Sequence, residues 1–229
     1  MTLNEAFKEL IKELEISNID DINKSIKGIT KKLNKHYYDL DSETDNILLV
    51  GSMGRKTSIF GESDIDIIYN LPYETYTKYN NYESNGQSQL FQEVKNVIKE
   101  KYSSTDIKGD GQVVVINFTK YKIELVPGFY QSSGYYVGHY KYPDSNNGGS
   151  WKYTNPLPEI KKCEDMDQLY VFRNACKIIR AWKSNNGVTM GGLLIDTLAC
   201  NFFETYSEKY KYIIFSVDYV VLFKEILQY

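Results

Sequence analysis

A chain of 229 residues that is 42% hydrophobic is long enough to bury a sizeable core, either as one large domain or as two lobes sharing a cleft. Its formal charge of −3, with an isoelectric point near 5.6, argues against a broad basic face for duplex nucleic acid and shifts attention to small anionic ligands. Cys163, Cys176 and Cys200 form an odd set without paired metal-type spacing and read as reduced thiols of a cytosolic protein.

The N-terminus is acidic from its fifth position and lacks the basic start and unbroken apolar segment of a signal peptide. Phe7, Leu10, Ile11 and Leu14 share a helical face, and Ile22, Ile26, Ile29, Leu33 and Tyr37 repeat the pattern after a break at Ser17-Asn18. Ile47 to Val50 predict a buried strand ending at Gly51, and Ile65, Ile67 and Ile68 a second, so residues 47–70 read as strand, turn, strand. Residues 77–88 are polar and predict an exposed loop before a helix carrying Leu90, Phe91, Val94, Val97 and Ile98.

Val113 to Ile116 with Phe118 make a further strand, and Ile123, Leu125 and Val126 another that stops at Pro127, with turns at Gly109-Asp110-Gly111 and Thr119-Lys120-Tyr121. A second loop at 142–150 leads into WKYTNPLP, whose prolines preclude a long helix there. From about Asp167 the periodicity is helical to the end. The longest apolar stretch, Tyr212 to Phe223, is broken by Ser216 and Asp218 and is too short to span a bilayer. The last segment, Tyr219 to Tyr229, has no cap signal and reads as a truncated C-terminus. The expected organisation is α+β, with N-terminal helices at 1–40 bridging the lobes, a catalytic lobe at 41–160 and a helical lobe at 161–229.

The chemistry concentrates in GSMGRKTSIFGESDID, residues 51–66. A P-loop is excluded, because its second glycine would fall on Lys56. Asp64 and Asp66 lie two apart in a strand, on one face, and repel each other when both are ionised unless a cation sits between them. Magnesium suits the pair, since it is commonly held by one or two carboxylates together with substrate phosphates; those phosphates are expected at Gly51-Ser52, near the basic pair Arg55-Lys56.

Gly-Ser, a short loop and D-x-D together resemble the signature of the DNA polymerase beta-like nucleotidyltransferase superfamily. The resemblance implies a mixed sheet with flanking helices and a third carboxylate on a neighbouring strand. The segment KIELVPGF makes Glu124 that candidate, where the family more often carries aspartate. Three such carboxylates imply two divalent ions, Mg²⁺ or Mn²⁺, that activate an acceptor hydroxyl and neutralise the leaving pyrophosphate. Neither His36 nor His139 is expected to take part.

Within the superfamily, SWKYTNPLP and KIIRAWK are similar to segments of the bacterial cyclic GMP-AMP synthase-like nucleotidyltransferases (CD-NTases) of anti-phage signalling. That resemblance implies nucleoside triphosphates as substrates, an oligonucleotide messenger as product, Arg180 and Lys183 on the donor phosphates with Ser52, and room for an activating protein or phage-derived ligand. Two alternatives stay open: an archaeal-type CCA-adding enzyme acting on tRNA, and a catalytically weak nucleotide-binding regulator, prompted by Glu124. Trp151 and Trp182 are expected to pack rather than to stack on bases.

Overall fold

The computed structural model describes residues 1–61, 64–166, 171–206 and 218–229. They fall into two units, one comprising Asn18–Val50 and Asp64–Pro156, the other Met1–Ser17, Gly51–Ser63 and Leu157–Tyr229.

The first unit is built on strands β1 (Ile47–Leu49), β2 (Ile65–Asn70), β3 (Asp106–Asp110), β4 (Val113–Asn117), β5 (Lys122–Tyr130), β6 (Tyr140–Asp144) and β7 (Ser150–Thr154). Their order is β1-β2-β5-β4-β3, with β6 on the far end of β5 and β7 beside β6. Only β2 and β5 run parallel. A parallel pair needs a crossover, and here the chain makes it through helices α4 (Tyr73–Asn80) and α5 (Gly86–Lys99) and the β3–β4 hairpin. Helix α5 packs on β3 and β4 and against α2 (Ile19–Tyr38). The apolar rows expected of these helices are the buried ones: Ile22, Ile29 and Leu33 on α2, and Leu90, Phe91, Val94, Val97 and Ile98 on α5.

The C-terminal end of α2 is tied to the start of β1 by Asn34, which is fully buried. Its amide donates to the carbonyls of Ser42 and Asp45, both at 3.0 Å, while its oxygen accepts from Asn46 and from the Tyr69 hydroxyl, both at 2.9 Å. A buried amide with every bond made fixes one loop path, and that path sets the register of β1 on β2.

The second unit is helical: α1 (Leu3–Glu13), a short α3 (Gly51–Gly54), α6 (Leu157–Met166), α7 (Phe172–Asn185), α8 (Gly192–Thr205) and α9 (Tyr219–Ile226). Phe172, Ala175 and Cys176 of α7, Phe202 and Phe203 of α8 and Leu222 of α9 form its core, with Phe7, Leu10, Ile11 and Leu14 of α1 packed against it. All three cysteines are free and buried. Among the described residues no helix is long and apolar enough to cross a membrane.

The N-terminal helices divide between the units, α1 in the helical one and α2 in the sheet one, and residues 51–63 go with the helices, where Arg55 and Thr57 bond to Asp196 of α8. Several expectations are corrected. The expected turn after β1 is helix α3, and the expected loop at 77–88 holds the end of α4 and the start of α5. Strand β5 runs on through Pro127, which lies past the last pairing with β4 and before the first with β6, where a missing N–H costs least. The loop at 142–150 is the hairpin of β6 and β7. Helix α6 starts ten residues ahead of the expected helical region, with Pro158 in its first turn, where proline is tolerated; Asp167 itself lies outside the described residues. Trp151 does pack, edge-on to Tyr76 and Phe129, whereas Trp182 is 42% exposed.

Candidate active site

The parallel pairing of β2 with β5 places Ile65 opposite Ile123, Asp66 opposite Glu124 and Ile67 opposite Leu125. Side chains alternate along a strand and partners across a pair share a face. The four apolar residues are therefore buried on one face, each at 2% exposure or less, while Asp66 and Glu124 share the other and are half-buried. Asp64 lies just ahead of β2 and, two residues from Asp66, extends the same row; on β5 the residue two before Glu124 is Lys122.

Lys122 answers part of the charge problem posed by the carboxylates, by pairing with Asp64 and Glu124. Its ammonium stands 2.9 Å from Asp64 Oδ2 and 2.7 Å from Glu124 Oε1, bridging two carboxylates on neighbouring strands. Hydrogen bonds to Glu124 and then to Asp64 push the Lys122 pKa well above the ordinary 10.5, so the ammonium is charged at any working pH. This residue was not singled out from sequence. The signal was there, since K-I-E on one strand complements D-I-D on the other at the same period.

The donor set fits a hard divalent cation, being all carboxylate oxygen, and the lysine ammonium shows that Asp64 and Glu124 already accept a positive charge between them. Among the described residues, however, no three His, Cys, Asp or Glu side chains are gathered in metal-binding geometry: the structure brings Asp66 beside Glu124, and Asp64 with Glu124 onto one lysine.

The residues expected on the phosphates lie in the helical unit and fall into two groups. Gly51 has φ of +59°, a left-handed conformation natural to glycine, and Ser52 is half-buried with its carbonyl accepting from Thr57 N–H at 2.9 Å. Lys56 is exposed in the same left-handed region, at φ +59°, uncommon for a residue with a side chain. Lys183 is half-buried on α7.

Arg55 and Arg180 depart from expectation. Both are buried and both bond Oδ2 of Asp196, from Arg55 Nε at 2.7 Å and Arg180 Nη2 at 2.6 Å, with the Thr57 hydroxyl donating to the same oxygen at 2.9 Å. Arg55 also pairs with Glu159 at 2.7 Å, and Arg180 donates to the Gly192 carbonyl at 2.9 Å. These guanidiniums are held by an internal carboxylate, and buried charges keep their partners because losing them is costly. Asp196, a lone carboxylate inside the apolar run LLIDTLAC, was the sequence sign that a buried cation waited for it.

A mixed sheet flanked by helices, with an acid-x-acid strand paired in parallel to a strand bearing a further carboxylate, is the framework of a polymerase beta-like nucleotidyltransferase. Residues 1–167 match the model of the Second Messenger Oligonucleotide or Dinucleotide Synthetase domain. The chain belongs to that family and is a nucleotidyltransferase that makes a nucleotide second messenger. Enzymes of this family work with divalent metal.

Solved structures share the fold. The Elizabethkingia meningoseptica CdnE cyclic dinucleotide synthase, solved with GTP and Apcpp, superposes at a TM-score of 0.70 with 13% identity, over 100% of this chain and 83% of its own. The E. coli MS115-1 CdnC:HORMA-deltaN complex gives 0.63 at 11% identity, over 89% and 65%, and the Rhodothermus marinus CdnE c-UMP-AMP synthase 0.60 at 12%, over 88% and 75%. No curated protein matches the chain in sequence.

Proposed function

We propose that the chain joins nucleoside triphosphates, with release of pyrophosphate, into a cyclic or short linear oligonucleotide signal of anti-phage defence, using Asp64, Asp66 and Glu124 as its reaction-bearing carboxylates. The observation that carries this reading is the register of Asp66 opposite Glu124, with Asp64 sharing the lysine that holds Glu124. Asp64, Asp66 and Glu124 would hold the divalent ions, two Mg²⁺ or Mn²⁺, which when bound neutralise the triphosphate and make an acceptor hydroxyl more acidic.

The chain's own contribution is positioning. Ile65, Ile67, Ile123 and Leu125 anchor both strands from the buried face, so Asp66 and Glu124 project from a packed scaffold, with Asp64 at its edge just ahead of β2. Oxygen donors held in place favour charge as it develops, at no cost of reorganisation. No nucleophilic side chain is needed, since the attacking group is a hydroxyl of the acceptor nucleotide. Gly51, Ser52, Lys56 and Lys183 complete the reading as phosphate contacts. Nucleoside triphosphates as substrates are supported by the relatives solved with GTP and with Apcpp, and an activating protein partner by the CdnC:HORMA-deltaN complex.

The test is incubation of the full chain with radiolabelled ATP, GTP, CTP and UTP and Mg²⁺ or Mn²⁺, followed by phosphatase and chromatography, beside Asp64→Ala/Asp66→Ala. A phosphatase-resistant product made by the wild type and absent from the variant is expected. Product formation that survives in the variant would refute the assignment of the carboxylates.

A further inference from the structure

Resting on that carboxylate reading, we propose that Lys122 is a built-in competitor of the metal, an internal counter-ion that must leave before the carboxylates can converge, and that it thereby couples metal binding to nucleotide binding. Lys122 and Glu124 share one face of β5, and the ammonium lies within hydrogen-bond distance of Asp64 on one side and Glu124 on the other. It fills the space between two of the three oxygen-donor side chains. Each carboxylate oxygen it holds is an oxygen withdrawn from a metal, which accords with the absence of a gathered three-carboxylate set among the described residues.

Metal entry sets a divalent charge against this ammonium, and like charges at such separations repel strongly when partly shielded from water. Lysine can yield: its charge is a compact point on a flexible four-carbon stem, and this one is about one-third exposed. Leaving costs it two carboxylate partners. A nucleoside triphosphate arriving with the metal offers a replacement, since its phosphate oxygens are anionic acceptors within the same region of charge. Metal alone must therefore expel Lys122 unaided, whereas metal with nucleotide expels it onto a new partner. By linkage, each ligand then tightens the other by the same factor.

The role is distinct from that of the carboxylates. They bind the ion; Lys122 sets how tightly the ion binds before substrate arrives. A site of this kind stays closed to adventitious metal and fills together with its substrate.

The test measures Mn²⁺ binding to the full chain by the electron paramagnetic resonance signal of free Mn²⁺, with and without the non-hydrolysable analogue Apcpp. Wild type, Lys122→Met, Lys122→Arg and Asp66→Asn are compared, each checked for folding by circular dichroism. Lys122→Met, which removes the charge, is expected to bind Mn²⁺ alone about tenfold tighter or more, the change a single nearby charge commonly produces. Lys122→Arg is expected to stay close to wild type, and the tightening that Apcpp gives wild type is expected to shrink in Lys122→Met. Equal or weaker Mn²⁺ binding by folded Lys122→Met would overturn the competitor role. Unchanged Mn²⁺ binding by Asp66→Asn would instead overturn the underlying assignment of the metal ligands, so the two failures are separable.

Discussion

Asp196→Ala is the substitution whose cost can be worked most directly from the structure. The carboxylate is 1% exposed, and one of its oxygens accepts from two guanidiniums and a hydroxyl. Removing it leaves Arg55 and Arg180, at 5% and 8% exposure, without their shared anion. Breaking a buried ion pair from one side typically costs 3–5 kcal/mol, because a buried charge is left uncompensated. Arg55 keeps Glu159 and Arg180 keeps the Gly192 carbonyl, which places the expected loss near the lower end, about 3 kcal/mol, or a fall in Tm of roughly 6–12 °C for a chain of this size. Urea unfolding in a Trp151→Phe background lets Trp182 report on the helical unit alone. The companion variant Asp196→Leu/Arg55→Met/Arg180→Met, which replaces the charges by apolar groups, is expected to recover much of the loss. A loss below about 1 kcal/mol for Asp196→Ala would refute the view that this network holds the helices together.

Arg180→Lys keeps the charge but loses the planar fork, so Tm is expected to fall while KM for nucleoside triphosphate stays within about twofold; a raised KM at unchanged Tm would restore the phosphate-binding role. Stability should also depend on pH through two carboxylates. Burial pushes Glu93 up, but hydrogen bonds from Lys78, Tyr79 and Tyr37 outweigh it and hold the carboxyl below its ordinary 4.5, while Lys152 and the Asn146 amide hold Asp144 well below 3.8. Both pKa values are depressed by folding, so their stabilisation is fully present above the unfolded values and is lost as pH falls through 4.5 and 3.8 towards the folded ones. The urea midpoint should therefore be flat from pH 7 to about 5.5 and decline below about 4.5, and Glu93→Gln/Asp144→Asn should flatten that decline; an unaltered acid limb in the variant would count against these partners. Finally, a Cβ on Gly86 would stand 2.1 Å from the Tyr79 carbonyl oxygen, which is backbone and cannot turn aside. Gly86→Ala is expected to cost about 1–3 kcal/mol by urea unfolding, and a neutral result would mean that the α4–α5 junction shifts freely.

What was legible in the sequence followed from periodicity and burial. The faces of α2 and α5, strands β1, β2 and β4 and the start of β5 carry apolar residues at the period of their element, and each forms where its pattern predicts. Strand β3 was hidden because DIKGD buries only Ile107, so an edge strand presented the composition of a turn. Helix α4 was hidden because its inward contacts are tyrosines, Tyr76 against Trp151 and Phe129 and Tyr79 buried beside Glu93, within a stretch otherwise polar. At the candidate site, alternation alone placed Asp64 and Asp66 on one face. The neighbour that binds Glu124 to Asp64 required the register between two distant strands, which no local pattern contains. The burial of Arg55 and Arg180 was hidden for a related reason: a basic residue on a helix or in a turn looks solvent-facing until the carboxylate that pairs with it is placed in three dimensions.

The parallel pairing of β2 with β5 also bears on the birth of the protein. Asp66 emerges from the ribosome roughly sixty residues before Glu124, an interval of roughly 3–12 s at ordinary rates of synthesis. Pairing at that sequence separation is slow to nucleate, because the loop must close before any contact rewards it. During that interval the two aspartates have neither Lys122 nor Glu124 beside them, and a slip of one residue in the later docking would turn every side chain of the strand to the wrong face. The proposed set of three carboxylates is therefore incomplete in the nascent chain until both strands are home, a delay imposed by topology rather than by an inhibitor.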